Sequence, residues 1–240
     1  MIVPSNWRGR LSAACLCAVG VALLAWLAVV SGWPQETAAR VERGSFEIRL
    51  KDQKIGVETY EIQFRETEIE VHGHVELSIA GEQLKQTTLL TLSPSYQLRR
   101  YEWQQQQPKQ TFARVAFDGT KATMEFPLTA EELDQREFFF ETPELVVLDN
   151  NVFHHYLFLL RRYDFARGGP QPIRILIPQE VLPALVTLED RGEESGAAGR
   201  LRRLVMTSED NEVWLWLDEK RQLVRLSVPQ AQVEVVHRQP

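Results

Sequence analysis

The densest group of reactive side chains in this sequence is Asp149, Asn150, Asn151, His154, His155 and Tyr156. A carboxylate five residues ahead of an imidazole can orient it and balance its charge, the pairing that general acid–base catalysis uses wherever a cleft exposes both groups. A hydrolase built on Asp149, His154 and His155 would draw its Ser or Thr nucleophile from elsewhere in the fold, because the chain has no G-x-S-x-G elbow. His72 and His74, flanked by Glu70 and Glu76, offer a second chemistry. Two imidazoles at i and i+2 can meet one metal ion, with a carboxylate completing the site. Trp214 and Trp216 offer a third, an aromatic wall for a lipid or glycan.

The elements that carry these residues are legible from their periodicity. Ile69, Val71, Val75, Leu77 and Ile79 alternate with Glu68, Glu70, His72, His74 and Glu76, the period of a strand with one wet face. His72 and His74 therefore look into solvent, and no metal site is expected there. Further strand patterns cover Phe46–Leu50, Tyr60–Phe64, Thr87–Leu92, Tyr96–Trp103, Ala113–Phe117 and Ala122–Phe126. Turns at Lys51–Lys54, Gly81 and Asp118-Gly119, and a glutamine-rich loop over Gln104–Pro108, connect them. Connections this short force antiparallel neighbours.

After Pro143 the character changes. Val152, Phe153, Tyr156, Leu157 and Leu160 share one helical face, and Phe158 and Leu159 widen it past half the circumference. Such a helix, over Asn150–Tyr163, must be largely buried. Asp149 or Asn150 is placed to cap it, and Gly168-Gly169-Pro170 to stop it. His154 and His155 then bond backbone groups at the sheet rim, which outweighs the catalytic reading, so no catalytic residue and no cofactor is assigned. Strands resume at Ile173–Ile177, Val186–Leu188, Leu204–Met206, Val213–Leu217 with Leu223–Val228, and Val233–Val236. Val213–Leu217 is apolar on both faces, as a central strand covered on both sides would be. Glu189–Gly199 reads as a loop, and no repeat of fixed period is visible.

The 23 residues Leu11–Trp33 contain no charged side chain. As a helix they would span about 34 Å, slightly more than a bilayer's hydrocarbon core of about 30 Å. A cleaved signal has a shorter apolar region, about 7–15 residues. Here Trp26 and Trp33 lie in the run, and the small-residue exits near Ser31 and Ala39 are poor, so a retained single-pass anchor is the expectation. The short tail before it has nothing to translocate, which favours the amino terminus inside and the domain outside the cytoplasmic membrane, on the periplasmic side of a Gram-negative host. Four segments follow: a tail over 1–10, a transmembrane anchor or uncleaved signal over 11–33, a linker over 34–43, and one β-rich domain over 44–240. Both cysteines, Cys15 and Cys17, lie in the apolar run, so the domain has neither disulfide nor thiolate metal site. The chain has a net charge of −6. All of its acids lie beyond Trp33, and nucleic acid is excluded as a partner.

A long antiparallel meander and one nearly all-apolar helix have few compact solutions. The expected fold is mainly β, a curved antiparallel sheet (half-barrel) wrapped around one central α-helix and preceded by an N-terminal transmembrane helix. The segments Gly44–Ile48, Lys54–Tyr60, Val147–His155, Glu212–Asp218 and Leu223–Leu226 resemble an uncharacterised exported bacterial half-barrel family, over most of residues 44–236. Its wider fold group is similar to the lipoprotein-localisation factors, whose half-barrels hold acyl chains between sheet and helix. The resemblance implies an apolar ligand and carries over no catalytic residue and no lipoprotein transport. The expectation is a membrane-anchored, non-enzymatic envelope protein holding a lipid or amphipathic ligand, with Tyr156, Leu160, Trp214 and Trp216 as the contact residues. The alternatives are an interaction subunit of an envelope complex, or the hydrolase described above.

Overall fold

In a computed structural model, the described residues are 40–196, 199–209 and 211–238. The expected membrane span over 11–33 lies outside them, and no helix among the described residues is long and apolar enough to cross a membrane. Among the described residues the domain is mainly β, with a single curved, open sheet of 15 strands and one α-helix.

The chain enters in the middle of the sheet. It runs outward through β1 (Arg40–Leu50), β2 (Gln53–Phe64), β3 (Ile69–Ile79), β4 (Glu82–Leu92), β5 (Leu98–Gln107), β6 (Thr111–Asp118), β7 (Lys121–Pro127) and β8 (Leu133–Phe139), each antiparallel to the last. It reappears at the opposite edge as β9 (Leu145–Val147), passes through the helix α1 (His155–Leu160), and returns through β10 (Gln171–Ile177), β11 (Leu182–Gly196), β12 (Gly199–Ser208), β13 (Asn211–Leu217), β14 (Leu223–Val228) and β15 (Val233–Arg238). β15 pairs with β1 and closes the circuit. The two 3-10 turns that lead into β11 and β15, Pro178–Glu180 and Pro229–Ala231, share Pro-Gln openings and end on left-handed residues, Val181 and Gln232. They form a short structural repeat that has no fixed period in the sequence.

Curvature follows from arithmetic. A flat sheet of this size would be about 65 Å wide at about 4.8 Å per strand. The two edge strands, β8 and β9, are joined only by residues 140–144, which extend about 20 Å at most. The sheet must therefore roll until its edges approach. It does so as a scroll: β9 tucks against β5 and α1 on the inner face, and β6 lies beside the Pro178–Glu180 turn.

Several boundaries differ from the sequence reading. β1 starts at Arg40, so residues 40–43 are strand and not linker. Gln104–Gln107 continue β5, because pairing with β4 and β6 satisfies their backbone whatever the side chains. Glu189–Gly196 extend β11 and are not a loop. Cross-strand pairs such as Arg202–Asp190 and Arg203–Glu194 stabilise that polar hairpin. β8 carried no alternation to reveal it. β9 and β10 run parallel, which the long crossover through α1 permits.

The helix is also shorter than Asn150–Tyr163. Only the six residues His155–Leu160 are α-helical. Asn151 sits at φ 62°, outside helical geometry. After Leu160 the backbone bonds shorten to i−3, from Arg162 to Leu159 and from Tyr163 to Leu160, the tightening that ends a helix. The buried core joins α1 to the inner sheet face through residues such as Leu159, Leu90, Val115, Leu204 and Leu215.

Candidate functional site

The inner face has a polar half and an apolar half, and α1 crosses both. On the polar side the decisive residue is Glu58. It shares its face of β2 with Tyr60 and Ile62 and is fully buried. Its carboxylate accepts the backbone N–H of Phe153 at 2.8 Å and of His154 at 3.2 Å. It also meets His154 Nδ1 at 2.5 Å. Glu58 therefore does, from across the fold, what Asp149 or Asn150 was expected to do: it satisfies donors at the entry to α1. No side chain local to the helix caps it.

His154 and His155 are both fully buried, and neither sits at a rim. The His154 ring lies over Gly73 of β3, where a Cβ would come within 2.4 Å of both His154 Cε1 and Thr88 Oγ1. Gly73 is thus the socket for His154. Gly73→Ala is expected to cost about 1–3 kcal/mol by overpacking, more than the gain from a less flexible unfolded chain. Urea denaturation measures it, and an unchanged midpoint would contradict the socket.

His155 packs edge-on against His154 and Tyr101, with ring centroids 4.6 Å and 5.3 Å away. Its Nδ1 accepts the Asp149 N–H at 3.3 Å. Burial pushes its ring well below the usual imidazole range, so it is neutral. Asp149 accepts the Tyr101 hydroxyl at 2.7 Å and the Gln179 N–H at 2.9 Å. Burial nevertheless lifts its carboxyl to about 7, those hydrogen bonds acting in the opposite direction. Asp149 and His154 thus belong to separate pairs, with Tyr101 and Glu58 as their partners, and do not form an acid–base couple.

On the apolar side two open grooves flank the segment from Phe158 to Phe165. The smaller, about 380 Å³, lies against β4, β5 and β9, between Leu92, Leu98, Leu145 and Tyr163. The larger, about 720 Å³, lies against β1, β2 and β14, over Ile62, Leu157 and Leu223. Phe158, Leu160, Arg161 and Phe165 line both. Volumes of about 300–1,000 Å³ are typical of small-molecule sites. The larger groove reaches the Tyr60 hydroxyl, which meets His237 Nε2 at 2.8 Å above Gly44. Asp149, His154 and His155 line neither groove.

Of the four expected contact residues, Leu160 lines both grooves. Tyr156 lines neither, being packed against the core beside them. Trp214 and Trp216 fall on the opposite face of the sheet from α1. Val213, Leu215 and Leu217 take the inner face of β13, and the strand's alternation sends the tryptophans outward. There Arg203 stacks on Trp214 and Arg225 on Trp216, and the indole N–H groups donate to Glu212 and Glu194. His72 and His74 lie on the outer face and are half exposed beside Glu70 and Glu76. No metal-ligand cluster of three or more His, Cys, Asp or Glu occurs among the described residues.

The sequence reading missed Glu58 and Gly73, although both left a signal. Glu58 is an acid in phase with Tyr60, Ile62 and Phe64, and Gly73 is the gap in the stripe from Ile69 to Ile79. No known protein family, characterised protein or solved structure matches the chain.

Proposed function

We propose that the protein is a membrane-anchored, non-enzymatic envelope protein that holds a lipid or amphipathic ligand in the grooves beside α1. The observation that carries this reading is the pair of open grooves on either side of Phe158–Phe165, in which polar rims border apolar residues of the helix and sheet. The uncharged stretch Leu11–Trp33 supports a tether to the cytoplasmic membrane with the sheet domain on its outer side. A hydrolase built on Asp149, His154 and His155 is disfavoured, because neither groove reaches those side chains and the Asp149 carboxylate and both imidazole Nδ1 atoms are engaged by Tyr101, Glu58 and backbone groups.

The test is extraction of the purified full-length chain followed by mass spectrometry, with displacement of a fluorescent fatty acid as the binding measurement. Co-purifying lipid and a saturable probe site are expected. Leu157→Trp, at a half-buried position over the larger groove, should weaken the probe more than tenfold, about the loss of two buried methylenes. A lipid-free chain indifferent to the probe would overturn the reading. That outcome would favour an interaction subunit, for which the unpaired edge strand β8 offers exposed Leu133 and Phe139.

A further inference from the structure

The chain is acidic overall, yet the larger groove is bordered by cations. Arg40, Arg43, Arg161, Lys220 and Arg221 line it, against the single carboxylate Glu42. Arg40 pairs with Glu42 and Arg43 with Glu61. Among the described residues Arg161, Lys220 and Arg221 have no carboxylate within ion-pair distance, whereas Arg114, Arg203 and Arg225 on the outer face each have one. Both of the unpaired guanidiniums are held in place by aromatic rings. Arg161 lies 4.4 Å over Tyr96, and Arg221 lies 4.4 Å over Phe165. Stacking fixes a guanidinium's plane and leaves its N–H fork free for a phosphate.

We infer that the larger groove takes an anionic, phosphate-bearing membrane lipid, an inference that rests on the ligand reading above. An acyl chain lies over Ile62, Leu157, Phe158 and Leu223, and the phosphate sits among Arg161, Lys220 and Arg221. Burial of methylenes supplies affinity, and the unpaired cations supply the choice of headgroup. A membrane source fits the chain's course. Arg40, the first described residue, is itself on this rim, and six residues separate it in sequence from the uncharged stretch that ends at Trp33.

The experiment uses the full-length protein in a non-ionic detergent and three lipids with identical acyl chains: phosphatidylglycerol, phosphatidylcholine and diacylglycerol. Phosphatidylglycerol is expected to bind at least tenfold more tightly than the other two, with the preference shrinking as salt rises. The double variant Arg161→Gln/Arg221→Gln should bring phosphatidylglycerol down to the affinity that diacylglycerol shows for the same variant, and Arg161→Lys/Arg221→Lys should retain most of the preference. Equal binding of all three lipids would overturn the charge inference and leave the ligand reading standing. Binding of none would overturn both. A preference that survives the Gln variant would overturn the assignment to this rim, and competition by soluble glycerol phosphate as strong as by the lipid would overturn the membrane source.

Discussion

Glu58→Ala is expected to destabilise the domain by about 3–5 kcal/mol, the usual loss when one member of a buried, hydrogen-bonded pair is removed. Three donors would lose their acceptor at once: the N–H groups of Phe153 and His154, and the His154 ring. Each orphaned buried donor costs about 1–3 kcal/mol, and a domain typically has only about 5–15 kcal/mol to lose. The entry to α1 should come off the sheet first, exposing His154 and the groove wall behind it. Glu58→Gln separates charge from hydrogen bonding. Its amide oxygen can still accept both backbone donors, and its amino group can donate to His154 Nδ1 once the ring changes tautomer. The tautomer change moves the ring proton to Nε2, which is buried without a partner, so that variant should lose about 1–3 kcal/mol, less than Glu58→Ala. Equilibrium urea unfolding gives both numbers, and equal losses for Ala and Gln would mean that the carboxylate's charge, not its acceptor geometry, anchors the helix.

The second large effect is a pH dependence that the wild type conceals. Asp149 has a folded-state value of about 7 against an ordinary 3.8. Between those limits the folded chain keeps the proton and the unfolded chain releases it. The stabilisation is complete below about pH 3.8 and is lost as pH rises through 7, about 4 kcal/mol in total. His155 works in the opposite sense. Its folded-state value lies well below 6.5, so its contribution is present above pH 6.5 and is lost on acidification. Below pH 6.5 the two slopes oppose each other. Asp149→Asn removes one and exposes the other, so the variant should lose about 1.4 kcal/mol per pH unit relative to wild type as pH falls below 6.5. Urea midpoints for both proteins from pH 4 to 7.5 test this. A constant difference between them across that range would show that Asp149 does not take up a proton on folding.

The two anchor residues illustrate what sequence patterning conveys. Period two placed Tyr60, Ile62 and Phe64 on one face, and by the same count Glu58 belongs to that face. Alternation alone cannot say whether such an acid finds a partner, because His154 lies 96 residues away in the chain. The stripe from Ile69 to Ile79 likewise has a gap at Gly73, and only the seated His154 ring gives the gap a meaning. The Trp214–Trp216 pattern was ambiguous for a related reason. A strand apolar on both faces offers no sign of which face is inner, and that was decided by the registry of β13 with β12 and β14.

The sequence by itself determined a β-rich chain with short antiparallel connections, a greasy segment after Pro143, an acid-rich composition, and an uncharged stretch over 11–33. These are local properties, set by period, turn chemistry and charge within a few residues. Only the tertiary structure decided the scroll, the parallel β9–β10 pair, the six-residue length of α1, the burial of Glu58 with His154, and the grooves on either side of Leu160. Each depends on residues far apart in the chain meeting across the rolled sheet, and one-dimensional periodicity holds no term for such encounters.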